Sequence, residues 1–252
     1  LGRGVRIGPN AVFVDPEPGA ASRTVVKEGA CIGANAVVHA GVTVAARAVV
    51  RPGAVVTCSV PPGAIVEGHP AVIVGYVGAL PSPAAAPVAA AAVPGVLTTD
   101  VKGVAIHQLP LVHDLRGDLI AGEFNRQIPF APQRFFMVLG VPGREVRSEH
   151  AHRQSHHFMV CVHGSCSVVA DDGRHKVEVL LDAPQRGIHL PPMVWGIRYR
   201  YSADAVLLVF ASHHEDAADC IRDYDEYLAL VRRPATADAL PKATPRTRAL
   251  HV

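Results

Sequence analysis

Aliphatic residues recur at every sixth position in the first third of the chain. This spacing is kept by Val26, Ile32, Val38, Val44, Val50 and Val56. An earlier set, Leu1, Ile7 and Phe13, has the same spacing in a different phase. Six-residue units with one inward aliphatic side chain are typical of a parallel β-helix, where stacked coils bury the aliphatic ladder. We therefore predict a β-helix over residues 1–79, with a loop at about 14–25 where the phase changes.

A different pattern follows an Ala- and Pro-rich stretch, which we interpret as a linker over residues 80–103. Short apolar runs then alternate with turn signals, at 134–140, 157–162, 165–170, 176–181, 188–190 and 205–211. This spacing predicts an all-β sandwich or barrel over residues 104–233. Apolar residues from Ala217 to Val231 have helical spacing, so we expect a C-terminal helix on the barrel, followed by a flexible tail over 234–252.

Composition narrows the class of protein. Of the 252 residues, 49% are hydrophobic and 18% are charged, which excludes a disordered chain. The net charge of +2 gives no reason to expect a nucleic acid or a membrane surface as partner. We expect a soluble, cytoplasmic protein, because no apolar run is long enough to span a membrane and no leader is visible. The five cysteines are an odd number at scattered positions, and we expect reduced thiols, most of them buried.

The β-helical region resembles the hexapeptide-repeat sugar-nucleotide N-acetyltransferases. The stretches that carry the resemblance are 32–36 (Ile-Gly-Ala-Asn-Ala) and 60–71, which ends in Gly-His-Pro-Ala. The resemblance implies a left-handed β-helix that forms trimers and binds acetyl-CoA between subunits. Val72 stands where the family has a basic residue, and fewer than four coils are present. A truncated transferase and a domain that only trimerises are both open interpretations.

Three histidines form the densest chemical cluster. Their spacing is Gly143-x6-His150-x-His152-x4-His157-x6-Gly164. Alternate residues of a strand face the same side, so His150 and His152 should point into one barrel mouth, with His157 within reach. Three imidazoles can hold a divalent ion, and neutral imidazoles can also serve as general acids and bases near pH 7.

Most of the second region resembles the cupin dTDP-sugar 3,4-ketoisomerases. The matching stretches are 114–119, 129–130, 147–152, 164–168, 171–173, 192–195 and 221–227, together with Arg134 and Phe136. The resemblance implies a cupin jelly-roll barrel that interconverts the 4-keto and 3-keto forms of a dTDP-linked 6-deoxyhexose without a metal. In the first cupin motif a carboxylate stands at the position of His157, and Gly196 replaces the histidine of the later motif.

Moving a ketone from C4 to C3 requires removal of the C3 proton, an enediol or enediolate, and return of a proton at C4. We assign His152 as the C3 base and His150 as the shuttle between the two oxygens, although the two roles can be reversed. Arg134 is placed to hold the pyrophosphate or the developing oxyanion. A salt bridge at the rim is the alternative interpretation of Arg134.

Four further residues are predicted to contact substrate. Trp195 can stack on the hexose or the thymine, or it can be a core aromatic residue. His157 either contacts substrate or is structural, and Phe136 belongs to the matched segment. Arg147 is an odd number of residues from both strand histidines, so it reaches the site only if a β-bulge turns it inward.

The leading hypothesis is a sugar-nucleotide 3,4-ketoisomerase of deoxyamino-sugar biosynthesis, fused to a transferase-type β-helix. The alternatives are a bifunctional ketoisomerase and acetyl-CoA-dependent N-acetyltransferase, or a metal-dependent or ligand-binding cupin. A homo-oligomer is expected, as a trimer through the β-helix, a dimer through the cupin, or a hexamer through both.

Overall fold

The computed structural model describes residues 1–15, 23–81, 95–115, 117–141 and 148–232. These residues form a β-helix followed by a two-sheet cupin barrel, which confirms the predicted fold class. The described part contains one α-helix, and no helix in it is long and apolar enough to cross a membrane. Most of the predicted linker, part of the 14–25 loop and the tail lie outside the described residues.

The β-helix is built from two-residue strands in three stacked faces. They are β1 (Arg6–Ile7), β2 (Val12–Phe13), β3 (Val25–Val26), β4 (Cys31–Ile32), β5 (Val37–Val38), β6 (Thr43–Val44), β7 (Val49–Val50) and β8 (Val55–Val56). Cys31 lies opposite Val49, 18 residues on, so three hexapeptides make one coil. Arg6 lies opposite Cys31, 25 residues on, which places the extra residues at the predicted phase change. The aliphatic ladder from Val26 to Val56 is at most 2% exposed, as predicted.

A hairpin ends the coils and leads into the barrel. It consists of β9 (Ala64–Gly68), which stacks on β7, and β10 (Ala71–Tyr76), which runs antiparallel to β9. The next strand, β11 (Ala79–Pro81), pairs in parallel with the first residues of β20 (Lys176–Leu181). The polypeptide therefore joins the barrel's hydrogen-bond network at the very start of the predicted linker, through Leu80 and Pro81 as well as Ala79.

Two six-stranded sheets face each other in the second region. Their remaining strands are β12 (Gly95–Thr98), β13 (Ala105–Gln108), β16 (Arg134–Leu139), β17 (Ser148–His152), β18 (His157–His163), β19 (Cys166–Asp171), β21 (Arg186–Leu190), β22 (Trp195–Tyr199), β23 (Val206–Ala211) and β24 (Cys220–Ile221). One sheet has the order β11-β20-β19-β22-β17-β24, and the other has the order β12-β13-β21-β18-β23-β16. A separate hairpin is formed by β14 (Leu111–Asp114) and β15 (Gly117–Ile120).

The structure differs from the predicted boundaries in two places. Strand β12 lies inside the predicted linker, because Gly95–Thr98 pairs antiparallel with Ala105–Gln108. The helix α1 covers only Tyr224–Val231, with Asp223 accepting a hydrogen bond from the backbone N–H of Glu226 as its N-cap. The preceding residues have helical apolar spacing, but Cys220–Ile221 pairs with β17 instead and completes the sheet edge.

The β-helix and the barrel share a continuous apolar core. Trp195, Ile197 and Tyr199 project from the outer face of β22 and belong to the same buried cluster as the coil ladder. The α1 residues Tyr224 and Tyr227 pack against Trp195 in this cluster. A second core fills the space between the two sheets. The barrel strands that carry functional side chains are therefore supported from behind by the β-helix. The cysteines are free, as expected, but among them only Cys161 and Cys166 are fully buried.

Candidate active site

A pocket of about 340 Å³ opens at one end of the barrel. Its floor contains His150, His152 and His157, and its rim contains Arg134, Arg222 and the segment from His213 to Ala217. His213 and Arg222 both line this pocket, although the sequence analysis assigned neither of them to the site. The polar lining suits a charged, hydroxyl-rich ligand rather than an apolar one.

Strand alternation brings the histidines together as predicted. His150 and His152 project inward from β17, whereas Ala151 between them is fully buried on the other face. His157 begins β18 in the opposite sheet. The ring centroids of His152 and His157 are 4.4 Å apart, and those of His150 and His152 are 4.8 Å apart. One ring nitrogen of each histidine lies within 4.8 Å of the others.

Asp219 orients His152, a contact that the sequence analysis did not predict. Its Oδ2 lies 3.0 Å from Nδ1 of His152, and its Oδ1 accepts from the backbone N–H of Gln154 at 2.7 Å. Burial of Asp219 disfavours its charged form, but these hydrogen bonds prevail and hold its pKa below the ordinary value. The carboxylate therefore accepts the Nδ1 proton of His152. The Nε2 atom is left unprotonated, buried and without a hydrogen-bond partner among the described residues.

Burial keeps the pocket histidines neutral. Loss of solvent, followed by the charge of Arg198, lowers the pKa of His150 to about 3 and that of His157 to about 2. The pKa of His152 is also lowered by burial, although Asp219 opposes this shift. All three imidazoles therefore hold a lone pair at neutral pH, as general bases require.

Arg198 is a buried cation beneath the histidines that the sequence analysis missed. Arg198 is 3% exposed. Its Nε lies 3.1 Å from Sδ of Met159, and its Nη2 lies 3.3 Å from Nδ1 of His157. The absence of a side chain at Gly196 leaves room beside the Arg198 guanidinium. A Cβ at this position would lie only 2.9 Å from Cδ1 of Leu190 and 3.8 Å from Nη2 of Arg198. The three imidazoles fit a divalent ion by residue type and spacing, but the adjacent guanidinium opposes a second cation.

The structure contradicts the prediction that Trp195 stacks on substrate. Trp195 is 3% exposed, and its ring makes an edge contact with Tyr224 at 5.1 Å between centroids. The reason is the parity of β22, which turns Gly196 and Arg198 inward and Trp195 outward beneath α1. Trp195 is thus the core aromatic residue of the alternative interpretation.

Arg134 and Phe136 lie at the pocket wall, on the inward face of β16. Nη2 of Arg134 is 3.0 Å from Oε2 of Glu215, and its guanidinium carbon lies 5.0 Å from the centroid of the Phe136 ring. The Phe136 ring makes an edge contact with His157 at 6.0 Å. Arg134 is one-third exposed and Glu215 is largely exposed, so this ion pair is open to exchange with a ligand. Arg147 lies outside the described residues, and its role stays a prediction.

Residues 102–232 match the family model described as FdtA: WxcM-like, C-terminal. The TDP-4-oxo-6-deoxy-alpha-D-glucose-3,4-oxoisomerase of Aneurinibacillus thermoaerophilus is 40% identical over 114 residues, which are 45% of this chain and 82% of that protein. The structure of the WlaRB TDP-quinovose 3,4-ketoisomerase from Campylobacter jejuni is 33% identical with a TM-score of 0.50, covering 51% of this chain and 99% of that chain.

The β-helix has a different relative. The 2,3,4,5-tetrahydropyridine-2,6-dicarboxylate N-acetyltransferase of Staphylococcus carnosus (strain TM300) is 47% identical over 74 residues, which are 29% of this chain. The same match covers only 31% of the length of that acetyltransferase. Similarity to hexapeptide acetyltransferases is therefore confirmed for the coils, while most of the relative lies outside the match.

Proposed function

The chain belongs to the FdtA family, WxcM-like, C-terminal, and on this premise we propose that it is a 3,4-ketoisomerase that converts a dTDP-4-keto-6-deoxyhexose into its 3-keto isomer. The observation that carries the proposal is the buried, unprotonated Nε2 of His152, which Asp219 orients from the opposite side of the ring. The family relatives support the substrate class, since two of them are named as TDP-sugar 3,4-isomerases.

The proposed reaction begins at His152. Its Nε2 takes the proton from C3, the C3–H electrons form the C3–C4 double bond, and the C4 carbonyl electrons move onto O4. The enediolate is then converted into the keto sugar with its carbonyl at C3. O3 loses its proton to O4 with His150 as the shuttle, and His152, whose acquired proton exchanges with solvent, protonates C4. Atoms and electrons balance without an oxidant or reductant, so we propose that isomerisation needs no cofactor.

The rim provides the proposed contacts with the nucleotide. Arg134 exchanges Glu215 for a diphosphate oxygen, to which its guanidinium can donate two hydrogen bonds. Phe136 lies beneath the Arg134 side chain and offers an apolar surface for the sugar methyl group or the base. We also propose that the protein is a homo-oligomer, as the hexapeptide coils suggest.

Proton NMR of dTDP-4-keto-6-deoxyglucose in D₂O, with the chelator-treated protein, tests the isomerase proposal. We expect the 3-keto isomer to form with deuterium at C4, and His152→Asn to abolish it. His163→Asn is the matched control, because His163 is exposed and pairs with Asp204 away from the pocket. Absence of both isomer and exchange with the wild-type protein would overturn the proposal for this substrate. Activity only after metal is restored would favour a metal-dependent cupin.

A second candidate activity is acetyl-CoA-dependent N-acetylation by the β-helix. The 47% identity to an N-acetyltransferase favours it, although the coils match only 31% of that protein. Incubation of the full chain with acetyl-CoA and an amino-sugar nucleotide, followed by mass spectrometry, should give a product heavier by one acetyl group. An unchanged amine would leave the coils with a role in assembly and support alone.

A further inference from the structure

Arg198 holds a buried positive charge, and no carboxylate of the described residues forms an ion pair with it. Its guanidinium has polar contacts with Sδ of Met159 and Nδ1 of His157. Burying an uncompensated charge is costly, and an anion that forms or binds beside the charge offsets that cost. The pocket above it is where the proposed reaction generates an enediolate.

The contact between Arg198 and His157 fixes the protonation of the imidazole. A guanidinium has only donors, so its Nη2 must donate to Nδ1 of His157 across the 3.3 Å contact. A neutral imidazole that accepts at Nδ1 carries its proton on Nε2. Because His157 is buried at the pocket floor, its ring has little freedom to exchange the two nitrogens.

His152 has the opposite arrangement. Asp219 accepts from Nδ1, which leaves Nε2 as a lone-pair base. The two rings are 4.4 Å apart between centroids, on strands from opposite sheets. One side of the pocket therefore offers a base and the other an N–H donor, and each is set by a charged residue behind it, the partly buried Asp219 and the buried Arg198.

We propose that His157 is a catalytic hydrogen-bond donor to the oxygen on which enediolate charge develops, and that Arg198 is the positioning residue that fixes the donor tautomer. This inference rests on the proposed isomerase function. When His152 removes the C3 proton, the electron pair arrives on O4. Nε2–H of His157 donates to that oxygen, and the positive charge of Arg198 behind the ring strengthens the donor. Charge developed in a low-dielectric site gains most from donors that are already oriented.

Three variants test the catalytic part. His157→Phe keeps a flat ring without a donor, and we expect kcat to fall about 10²- to 10³-fold with KM changed less than about threefold. His157→Gln keeps an N–H donor, and we expect kcat within about tenfold of wild type. Arg198→Met removes the positioning charge and should lower kcat like His157→Phe. If His157→Phe does not fold, His157→Met replaces it as an apolar side chain that adapts to the space.

Nitrogen-15 NMR of histidine-labelled protein tests the positioning part without any substrate. We expect the signals that disappear in His157→Gln to have the shifts of a neutral Nε2–H imidazole. In Arg198→Met the same ring should change to the Nδ1–H form or to a mixture. A purely structural role of Arg198 would leave the tautomer unchanged.

The outcomes separate the two proposals. A wild-type protein that isomerises, together with a His157→Phe variant of unchanged kcat, would overturn the donor role while the isomerase function stands. A wild-type spectrum with the Nδ1–H form of His157, or one that Arg198→Met does not alter, would overturn the role of Arg198. A wild-type protein without isomerase activity would overturn the proposed function and the donor role with it.

Discussion

The hydroxyl of Tyr76 donates a 2.7 Å hydrogen bond to Oε1 of Glu149. Tyr76 is the last residue of the hairpin that ends the β-helix, and Glu149 immediately precedes His150 on β17. The Tyr76 ring also makes an edge contact with Tyr199 of β22 at 5.4 Å between centroids. The hairpin that ends the β-helix thus contacts β17 and β22, two of the strands that supply inward groups to the pocket.

Tyr76→Phe should destabilise the protein in a pH-dependent manner. Burial raises the pKa of Glu149, and the Tyr76 hydroxyl opposes this by stabilising the carboxylate. Without the hydroxyl the folded-state pKa rises further, so the folded state binds more protons and stability falls as pH rises above the ordinary value of 4.5. We expect a loss of about 1.5–3 kcal/mol at pH 8, measured by urea unfolding, and a smaller loss near pH 5.

Tyr199→Phe is the matched control for Tyr76→Phe. It also removes a 2.7 Å tyrosine hydrogen bond, to Glu178, but Arg200 lies 3.6 Å from the same carboxylate and remains as its partner. We expect a smaller loss of stability. Equal stability of Tyr76→Phe and wild type at pH 8 would contradict the coupling between the two parts.

Asp219→Asn should remove the base without removing His152. An amide can donate to Nδ1, which would move the imidazole proton to Nε2 and occupy the lone pair that takes the C3 proton. We expect kcat for isomerisation to fall roughly 10²- to 10⁴-fold with a small change in KM. Asp204→Asn, an exposed carboxylate beside His163, is the control and should leave kcat unchanged. Normal turnover by Asp219→Asn would show that the tautomer of His152 is not set by Asp219.

Arg134→Met should weaken substrate binding rather than chemistry. Loss of the proposed charge-assisted hydrogen bonds to the diphosphate should raise KM roughly 10- to 100-fold with kcat little changed. Glu215→Gln should lower KM, because Arg134 would no longer exchange a carboxylate for the substrate. Arg126→Met, which breaks the exposed pair with Glu123, is the control. An unchanged KM in Arg134→Met, measured with the TDP-sugar, would rule out the diphosphate contact.

Acid should destabilise the fold through His189, which packs with His107 and His156 in a second group of imidazoles that are at least partly removed from solvent. Burial, followed by the nearby His156 and His107, lowers the pKa of His189 to about 4. The unfolded chain therefore binds a proton between about pH 6.5 and 4 that the folded state does not, and stability falls as pH falls through this window. We expect a lower urea midpoint at pH 5 than at pH 7.5, and a smaller difference in His189→Phe. His163→Phe, at an exposed site, should retain the wild-type difference.

The parts of the fold that were predictable depend on short-range periodicity. The six-residue ladder of the coils and the two-residue alternation of His150 and His152 are both local patterns. The structure confirms that the ladder residues lie together in one core and that the two histidines lie on the same face of β17. No local pattern in the sequence marks the first residue of β22. Trp195 is its first residue, and a shift of one position exchanges the inward and outward faces, which is why Arg198 was missed and Trp195 misplaced.

Asp219 could not be predicted for a different reason. It lies 67 residues from His152, and its local sequence has helical apolar spacing. Its position depends on Cys220–Ile221 pairing with β17, a long-range contact that overrides the local pattern. The carboxylate that orients the proposed base is thus set by sheet assembly, while the histidine itself is evident from its motif.

The short strand Ala79–Pro81 has a consequence for solubility. By pairing with β20 it occupies backbone hydrogen-bonding positions at the edge of a six-stranded sheet. An open edge of this kind is a template on which strands of other molecules can add, and natural proteins cover or interrupt such edges. If the cupin region were separated from the coils after residue 81, this edge would be uncovered, and the freed barrel should be prone to self-association. The segment that follows the β-helix thereby covers this edge of the barrel through three residues of backbone pairing.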